Sequence, residues 1–99
     1  MIVLQREKMP NGTTIQIEDW TEDYKNHWNV GAYPIAKEGD KYGWIKRKQT
    51  FRLTLNFDSK KQAEQAFSEL LSGEKELTDY KNCFYNGSED IYYLTGGDK

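Results

Sequence analysis

Apolar residues take every second position from Phe51 to Phe57, with polar residues between them. A period of two is typical of a strand with one buried face. The spacing then becomes helical, because the apolar positions from Ala63 to Leu71 recur at helical intervals along one face. A strand followed so closely by a helix is expected to carry that helix folded back over its apolar face.

The sequence also marks both ends of this helix. Ser59 occupies the position expected of an N-cap, and Gln62 completes a capping box with it. Gly73 follows the last apolar position, where a left-handed residue commonly ends a helix. We therefore predict a main helix over about 59–72. A second, shorter helix is predicted over about 75–84, with three apolar residues on one face: Leu77, Tyr80 and Phe84.

Three strands are predicted before this central unit. Residues 2–7 and Thr13–Asp19 are joined by the turn Met9–Gly12, and together they predict a β-hairpin. A third strand is predicted over Gly31–Lys37. Pro34 would place that strand at the edge of the sheet, because proline cannot donate a hydrogen bond to a neighbouring strand.

The remaining segments are less regular. Most of residues 18–33 is predicted as loop, with room for one short helical turn. A fourth strand begins at Tyr42; it either continues into the strand that ends at Phe57 or is separated from it by a bulge or turn near residues 46–50. A last strand is predicted over Ile91–Leu94.

Strands cluster early in the chain and helices late, which predicts an α+β fold. We expect a small antiparallel sheet of four to five strands, with the main helix of about 59–72 and the short helix of about 75–84 on one face. The 99 residues are expected to form one domain, 1–99, with a loose C-terminal tail from about residue 96.

Composition narrows the class of protein. Only 36% of residues are hydrophobic, but 14% are aromatic, and each large ring buries much area. The net charge of -2 gives no general attraction to nucleic acid or to anionic membranes. The single cysteine, the lack of a membrane-length apolar run and the lack of a signal peptide predict a reduced, cytoplasmic protein.

Few residues carry a recognisable chemistry. His27 and Cys83 each stand alone in the sequence, without further metal ligands or the partners of a catalytic triad. There is no glycine-rich phosphate loop, and the adjacent acidic pairs are interpreted as solvated side chains. The sequence thus predicts a protein that is not an enzyme and that uses no cofactor and no metal.

An acidic and aromatic segment is the first candidate binding surface. Its rings recur every fourth residue, and acids lie between and before them. Trp and Tyr are common anchors of protein interfaces, and acids would steer the surface toward a basic partner. The competing interpretation is that the rings complete the core. The candidate protein-binding residues are Trp20, Tyr24, Trp28, Glu18, Asp19, Glu22 and Asp23.

A basic and aromatic stretch before the central strand is the second candidate. A positive groove with aromatic platforms is typical of proteins that hold single-stranded nucleic acid. The competing interpretation is a solvated outer face whose lysines discourage aggregation. Which way Trp44 points depends on the register near residues 46–50. The candidate nucleic-acid-binding residues of this alternative are Tyr42, Trp44, Lys46, Lys48 and Arg52.

Two stretches carry a resemblance to a known group of proteins. They are Pro10–Trp20 and the segment from Asn56 through the helix to Glu74. They resemble small uncharacterised proteins carried by phages and mobile elements of Gram-positive bacteria. The resemblance implies no activity and no site residues, but small proteins of that origin often bind a host protein, including as inhibitors of defence enzymes. It therefore favours the protein-binding hypothesis, with an inhibitor or accessory factor as its specific form.

Overall fold

The computed structural model describes residues 1–23, 27–34 and 52–85. Within these residues an antiparallel sheet has the strand order β1-β2-β3-β4. The strands are β1 (Ile2–Lys8), β2 (Thr14–Asp19), β3 (Trp28–Tyr33) and β4 (Leu53–Phe57). They are followed by the helix α1 (Lys60–Ser72) and by a 3₁₀ helix (Leu77–Cys83). The predicted small α+β fold with an antiparallel sheet and two helices is confirmed.

Local sequence signals determine the ends of α1. The Ser59 side chain accepts a hydrogen bond from the Gln62 backbone N–H at 3.2 Å, and Gln62 Oε1 accepts from the Asp58 N–H at 3.2 Å. Gly73 ends the helix with φ 83°, and its N–H donates to the Leu70 carbonyl oxygen. These are the predicted N-cap and left-handed C-terminal residue, and they satisfy backbone groups that a helix leaves unpaired.

The core lies between the sheet and α1. Strands β2, β3 and β4 each give one face to it, and α1 gives the stripe that includes Ala63, Phe67 and Leu70. Leu77 and Phe84 of the second helical segment are also buried in this core, and Tyr80 packs against it half-buried. The shared apolar face predicted for that segment is therefore confirmed.

The prediction that the third strand lies at a sheet edge is wrong. Strand β3 pairs with β2 on one side and with β4 on the other, so it is an interior strand. It begins at Trp28 and ends at Tyr33, and Pro34 follows its last residue. Because Pro34 lies beyond the ladder, its missing N–H costs no strand hydrogen bond. The predicted loop is correspondingly shorter than residues 18–33.

Several predictions lie outside the described residues. They are the strand beginning at Tyr42, the register near residues 46–50, the last strand Ile91–Leu94 and the C-terminal tail from about residue 96.

Candidate functional site

The sheet has a polar face on the side away from α1. The register aligns Glu18 with Asn29 and Asn29 with Asn56, and the next row aligns Gln16 with Gly31 and Gly31 with Thr54. Side chains alternate between the two faces of a strand, so these residues share the face opposite the core. Glu18, Gln16 and Asn29 are nevertheless buried, which is unusual for polar groups unless they are hydrogen-bonded.

An ion pair crosses this polar face. Arg52 Nη2 donates to Glu18 Oε1 at 2.6 Å, and Arg52 Nη1 donates to the Tyr33 hydroxyl at 2.8 Å. The Glu18 side chain is 0% exposed and that of Arg52 is 31% exposed. The Glu18 carboxylate is therefore the desolvated partner, whereas the Arg52 guanidinium is partly in contact with solvent.

The Glu18 carboxylate receives further donors. Gln16 Nε2 donates to Oε2, and Trp20 Nε1 donates to Oε1 at 2.9 Å. Burial would raise the pKa of Glu18, but the hydrogen bonds from Arg52, Gln16 and Trp20, together with the charge of Arg52, outweigh it and hold the pKa below its usual value. The hydrogen bond to Glu18 in turn raises the pKa of Arg52. Both groups are thus charged near neutral pH.

Gly31 provides the space for this ion pair. A methyl group at Gly31 would lie 2.5 Å from Glu18 Oε2 and 2.8 Å from Arg52 Nη1. Strand β3 separates β2 from β4, so the two side chains must meet above it. A strand interior glycine often marks such a close approach.

Next to the ion pair is an open cleft of about 320 Å³. Its floor is formed by strand residues and by Arg52, and its rim by aromatic residues outside the strands. The Asn29 amide, oriented to satisfy its neighbours, donates to the Trp28 carbonyl oxygen at 3.0 Å and to Asn56 Oδ1 at 2.9 Å. The floor residues are Asn29, Arg52, Thr54 and Asn56, and the rim residues are Trp20, His27 and Tyr85.

Backbone hydrogen bonds position the rim. The Trp20 N–H donates to the His27 carbonyl oxygen at 3.1 Å, which closes the loop between β2 and β3. The Tyr85 N–H donates to the Thr54 carbonyl oxygen at 2.9 Å, just after the bridge between Phe84 and Leu55. The cleft therefore lies between this loop and the segment that runs beside β4.

Strand β1 forms a second candidate site. All seven of its residues are exposed, and it pairs only with β2 among the described strands. Ile2, Val3 and Leu4 are 47%, 37% and 45% exposed, which places three large apolar side chains in a row at the sheet edge. The register shifts between Val3 and Gln5, so Leu4 lies at an irregularity. Protein surfaces normally protect such an edge.

Those predicted protein-binding residues that the structure describes do not form one patch. Trp20 lines the cleft on the polar face, whereas Trp28 packs against the core on the other face, with Lys60 Nζ 6.0 Å from its ring. Glu18 is buried in the ion pair. Tyr24 lies outside the described residues.

The other predicted acids lie at the end of β2, in the case of Asp19, and on the loop that follows it, in the case of Glu22 and Asp23. Asp19 accepts hydrogen bonds from the Thr21 N–H at 2.9 Å and hydroxyl at 2.6 Å, and these bonds hold the pKa of Asp19 below its usual value. Glu22 and Asp23 are exposed, and Asp23 Oδ2 lies 3.0 Å from the amino group of Met1. The exposed acids are therefore next to the apolar end of β1.

The predicted basic groove is mostly outside the described residues. This applies to Tyr42, Trp44, Lys46 and Lys48. Arg52 is described, and its charge is paired with Glu18. The one described residue of this set is therefore paired with another side chain of the same chain.

Three further features of the described residues bear on candidate chemistry: possible metal ligands, the cysteine and the helices. No group of three or more His, Cys, Asp and Glu side chains there is arranged to hold a metal ion. Cys83 is half-buried, and burial raises the pKa of its thiol, which disfavours the reactive thiolate. Of the helices described, none has the length and apolar character needed to cross a membrane.

The ion pair and the exposed edge were missed by sequence reasoning. Glu18 and Arg52 are distant in sequence, and only the strand order and register bring them together. The available signal was Gly31 within a strand pattern, which indicates close approach of another group. For β1, the run Ile2–Leu4 without alternation was the signal that apolar side chains extend beyond one buried face.

Comparison of the chain with protein-family models, curated protein sequences and solved structures found no significant match.

Proposed function

We propose that the chain is a non-enzymatic binding protein, and that it binds another protein at the edge of β1 that pairs with no described strand. The observation that carries this proposal is the exposed edge strand with Ile2, Val3 and Leu4 in a row. An extended segment of a partner can add to such an edge through backbone hydrogen bonds, while its side chains contact the exposed apolar residues. Covering these side chains would remove apolar surface from water.

The surroundings of β1 suggest the chemistry of the partner segment. Glu22 is exposed beside the apolar end of the strand, next to Asp23, which forms an ion pair with the Met1 amino group. A partner strand with apolar residues and a basic residue near this loop would therefore be favoured, because opposite charges at an interface rim speed association and fix the register. This retains the predicted preference for a basic partner and moves its anchors from the aromatic rings to β1.

The finer parts of the proposal come from the sequence. The role of a phage or mobile-element inhibitor or accessory factor rests on the resemblance described above. A cytoplasmic location fits a domain whose one cysteine is a free thiol. The alternative, binding of single-stranded nucleic acid, gains no support from Arg52, since its charge is balanced by Glu18.

A display selection of random peptides against the folded protein tests strand addition directly. We expect selected peptides to protect β1 amides from hydrogen exchange and to lose about tenfold or more in affinity for the Leu4→Lys variant, because a lysine on the edge is a common obstacle to strand addition. Fluorescence anisotropy of labelled peptides measures the affinity.

Tyr85→Lys is the matched control. It also replaces one exposed apolar side chain with lysine, but Tyr85 lies beside β4 and not on β1. Peptides that bind the Leu4→Lys variant as well as the original chain, or that are lost only from Tyr85→Lys, would contradict the β1 assignment. Failure to select any peptide that protects β1 would also count against it.

A further inference from the structure

The cleft on the polar face is separate from the β1 edge. Its floor is built on β3 and β4, and two ordered strands, β2 and β3, separate β1 from β4. Its volume of about 320 Å³ is at the small end of the range for small-molecule pockets. The cleft therefore suits a ligand with one compact ring system.

The charge of the floor is balanced. Among the described residues that line the cleft, Arg52 is the one Lys or Arg side chain, and it is held by Glu18 Oε1 at 2.6 Å. A phosphate would have to compete with this buried carboxylate for the guanidinium, and separating the pair would leave a buried charge without a partner. The cleft therefore favours an uncharged ligand over an anionic one.

The floor offers hydrogen-bonding groups in fixed positions. Asn29 donates to the Trp28 carbonyl oxygen and to Asn56 Oδ1, and its amide oxygen accepts a hydrogen bond from Trp20 Nε1 at 3.2 Å. Within the described part of the chain, Asn56 Nδ2 and Thr54 Oγ1 form no hydrogen bond, and both residues are half-buried. A ligand edge that presents an acceptor and a donor would satisfy them.

The rim supplies aromatic faces. Tyr85 is 68% exposed, the highest fraction among the exposed large apolar residues described, and it stands across the cleft from the loop that carries Trp20 and His27. Aromatic side chains stack on flat ring systems, and amide side chains bond to the edges of bases. We infer that this cleft binds a nucleobase, as a free nucleoside or as one unpaired base of a single strand, through its ring face and its polar edge and without a contact to phosphate.

Titration of isotope-labelled protein with adenosine, guanosine, cytidine and uridine tests this inference. We expect at least one nucleoside to shift the Trp20 indole N–H and the Asn56 side-chain amide signals in the NMR spectrum. Tyr85→Ala should lower the affinity for that nucleoside by roughly 5- to 150-fold, because the stacking of one base on an aromatic ring contributes binding free energy on this scale. Tyr85→Phe keeps the ring and should bind like the original chain. Thr54→Val should weaken binding while keeping the branched shape of the side chain.

Short single-stranded oligonucleotides separate the two sources of the base. Similar affinity for nucleoside and oligonucleotide identifies the free nucleoside, whereas tighter binding of the oligonucleotide that still depends on Tyr85 identifies a base within a strand. In both cases affinity should change little with salt, because no phosphate contact releases counterions.

Three results would overturn the inference. The first is no shift of cleft signals by any nucleoside or oligonucleotide. The second is equal affinity for indole and for nucleosides, which would mean that the cleft binds flat apolar rings without recognising the polar edge of a base. The third is oligonucleotide binding that falls steeply with salt and is unchanged in Tyr85→Ala, which would place the nucleic acid on another surface. None of these results bears on peptide binding at β1.

Discussion

Gly31 is the residue on which the buried ion pair depends, because any side chain there occupies the space of Glu18 and Arg52. We expect Gly31→Ala to destabilise the fold by roughly 1–3 kcal/mol, the usual scale of overpacking, since a methyl group 2.5 Å from Glu18 Oε2 must displace it. The free energy of unfolding from urea titration measures the effect.

The double variant separates a clash from a change in strand propensity. With Glu18→Ala in the background, the methyl group no longer meets the carboxylate, so Gly31→Ala should cost less than it does alone. An equal cost in both backgrounds would show that the ion pair does not determine the choice of glycine at this position.

Glu18 also predicts a dependence of stability on pH. Its pKa is lowered in the folded chain, so its contribution to stability is present above the unfolded value of about 4.5 and is lost as pH falls through the lower, folded value. Near pH 7 we expect Glu18→Gln to destabilise the domain by roughly 3 kcal/mol or less, the limit reflecting the partial exposure of Arg52. Near pH 3 the difference between the two proteins should be smaller, as denaturation at both pH values would reveal. A difference that stays constant across this range would contradict the assignment of a charged Glu18.

At the scale of single elements, α1 was the most predictable part of the chain because its signals are local. The N-cap Ser59, the apolar stripe and the left-handed Gly73 all act within the helix or its ends. For β3, the sequence predicts an edge strand because of Pro34, although proline only forbids a ladder bond at its own position. The ion pair depends on the order of three strands and on their register, and no local pattern specifies either.

The N-cap of α1 offers a test confined to one element. Ser59→Ala removes the side-chain oxygen that accepts the Gln62 N–H, and we expect a loss of about 1 kcal/mol in unfolding free energy. Ser68→Ala is the matched control, since Ser68 is an exposed position within α1 where alanine is the better helix former. The capping assignment would be wrong if the two substitutions had the same effect on thermal unfolding.

For the whole molecule, the two faces of the sheet have different tasks. The face toward α1 holds the apolar core, and the opposite face holds a network of hydrogen-bonded polar side chains beside an open cleft. The candidate sites lie outside both the apolar core and the polar network. One is the exposed edge of β1, and the other is the cleft between Trp20 and Tyr85. Stability and binding therefore depend on largely different residues in the described part of the chain.

This division predicts an uneven distribution of stability. Strand β1 is held to β2 by backbone pairing, but all seven of its residues are exposed, so opening it uncovers less apolar surface than opening an interior strand would. Interior β3 carries Val30 and Ala32, which are both fully buried. In native-state hydrogen exchange we expect the bonded amides of β1 to exchange at least about 100-fold faster than those of β3, through local opening that is insensitive to low urea. The amides of β3 should instead follow global unfolding. Equal protection and equal urea dependence in the two strands would show that β1 is an integral part of the cooperative core. A partner that adds a strand to the sheet should raise the protection of the β1 amides before that of the other strands.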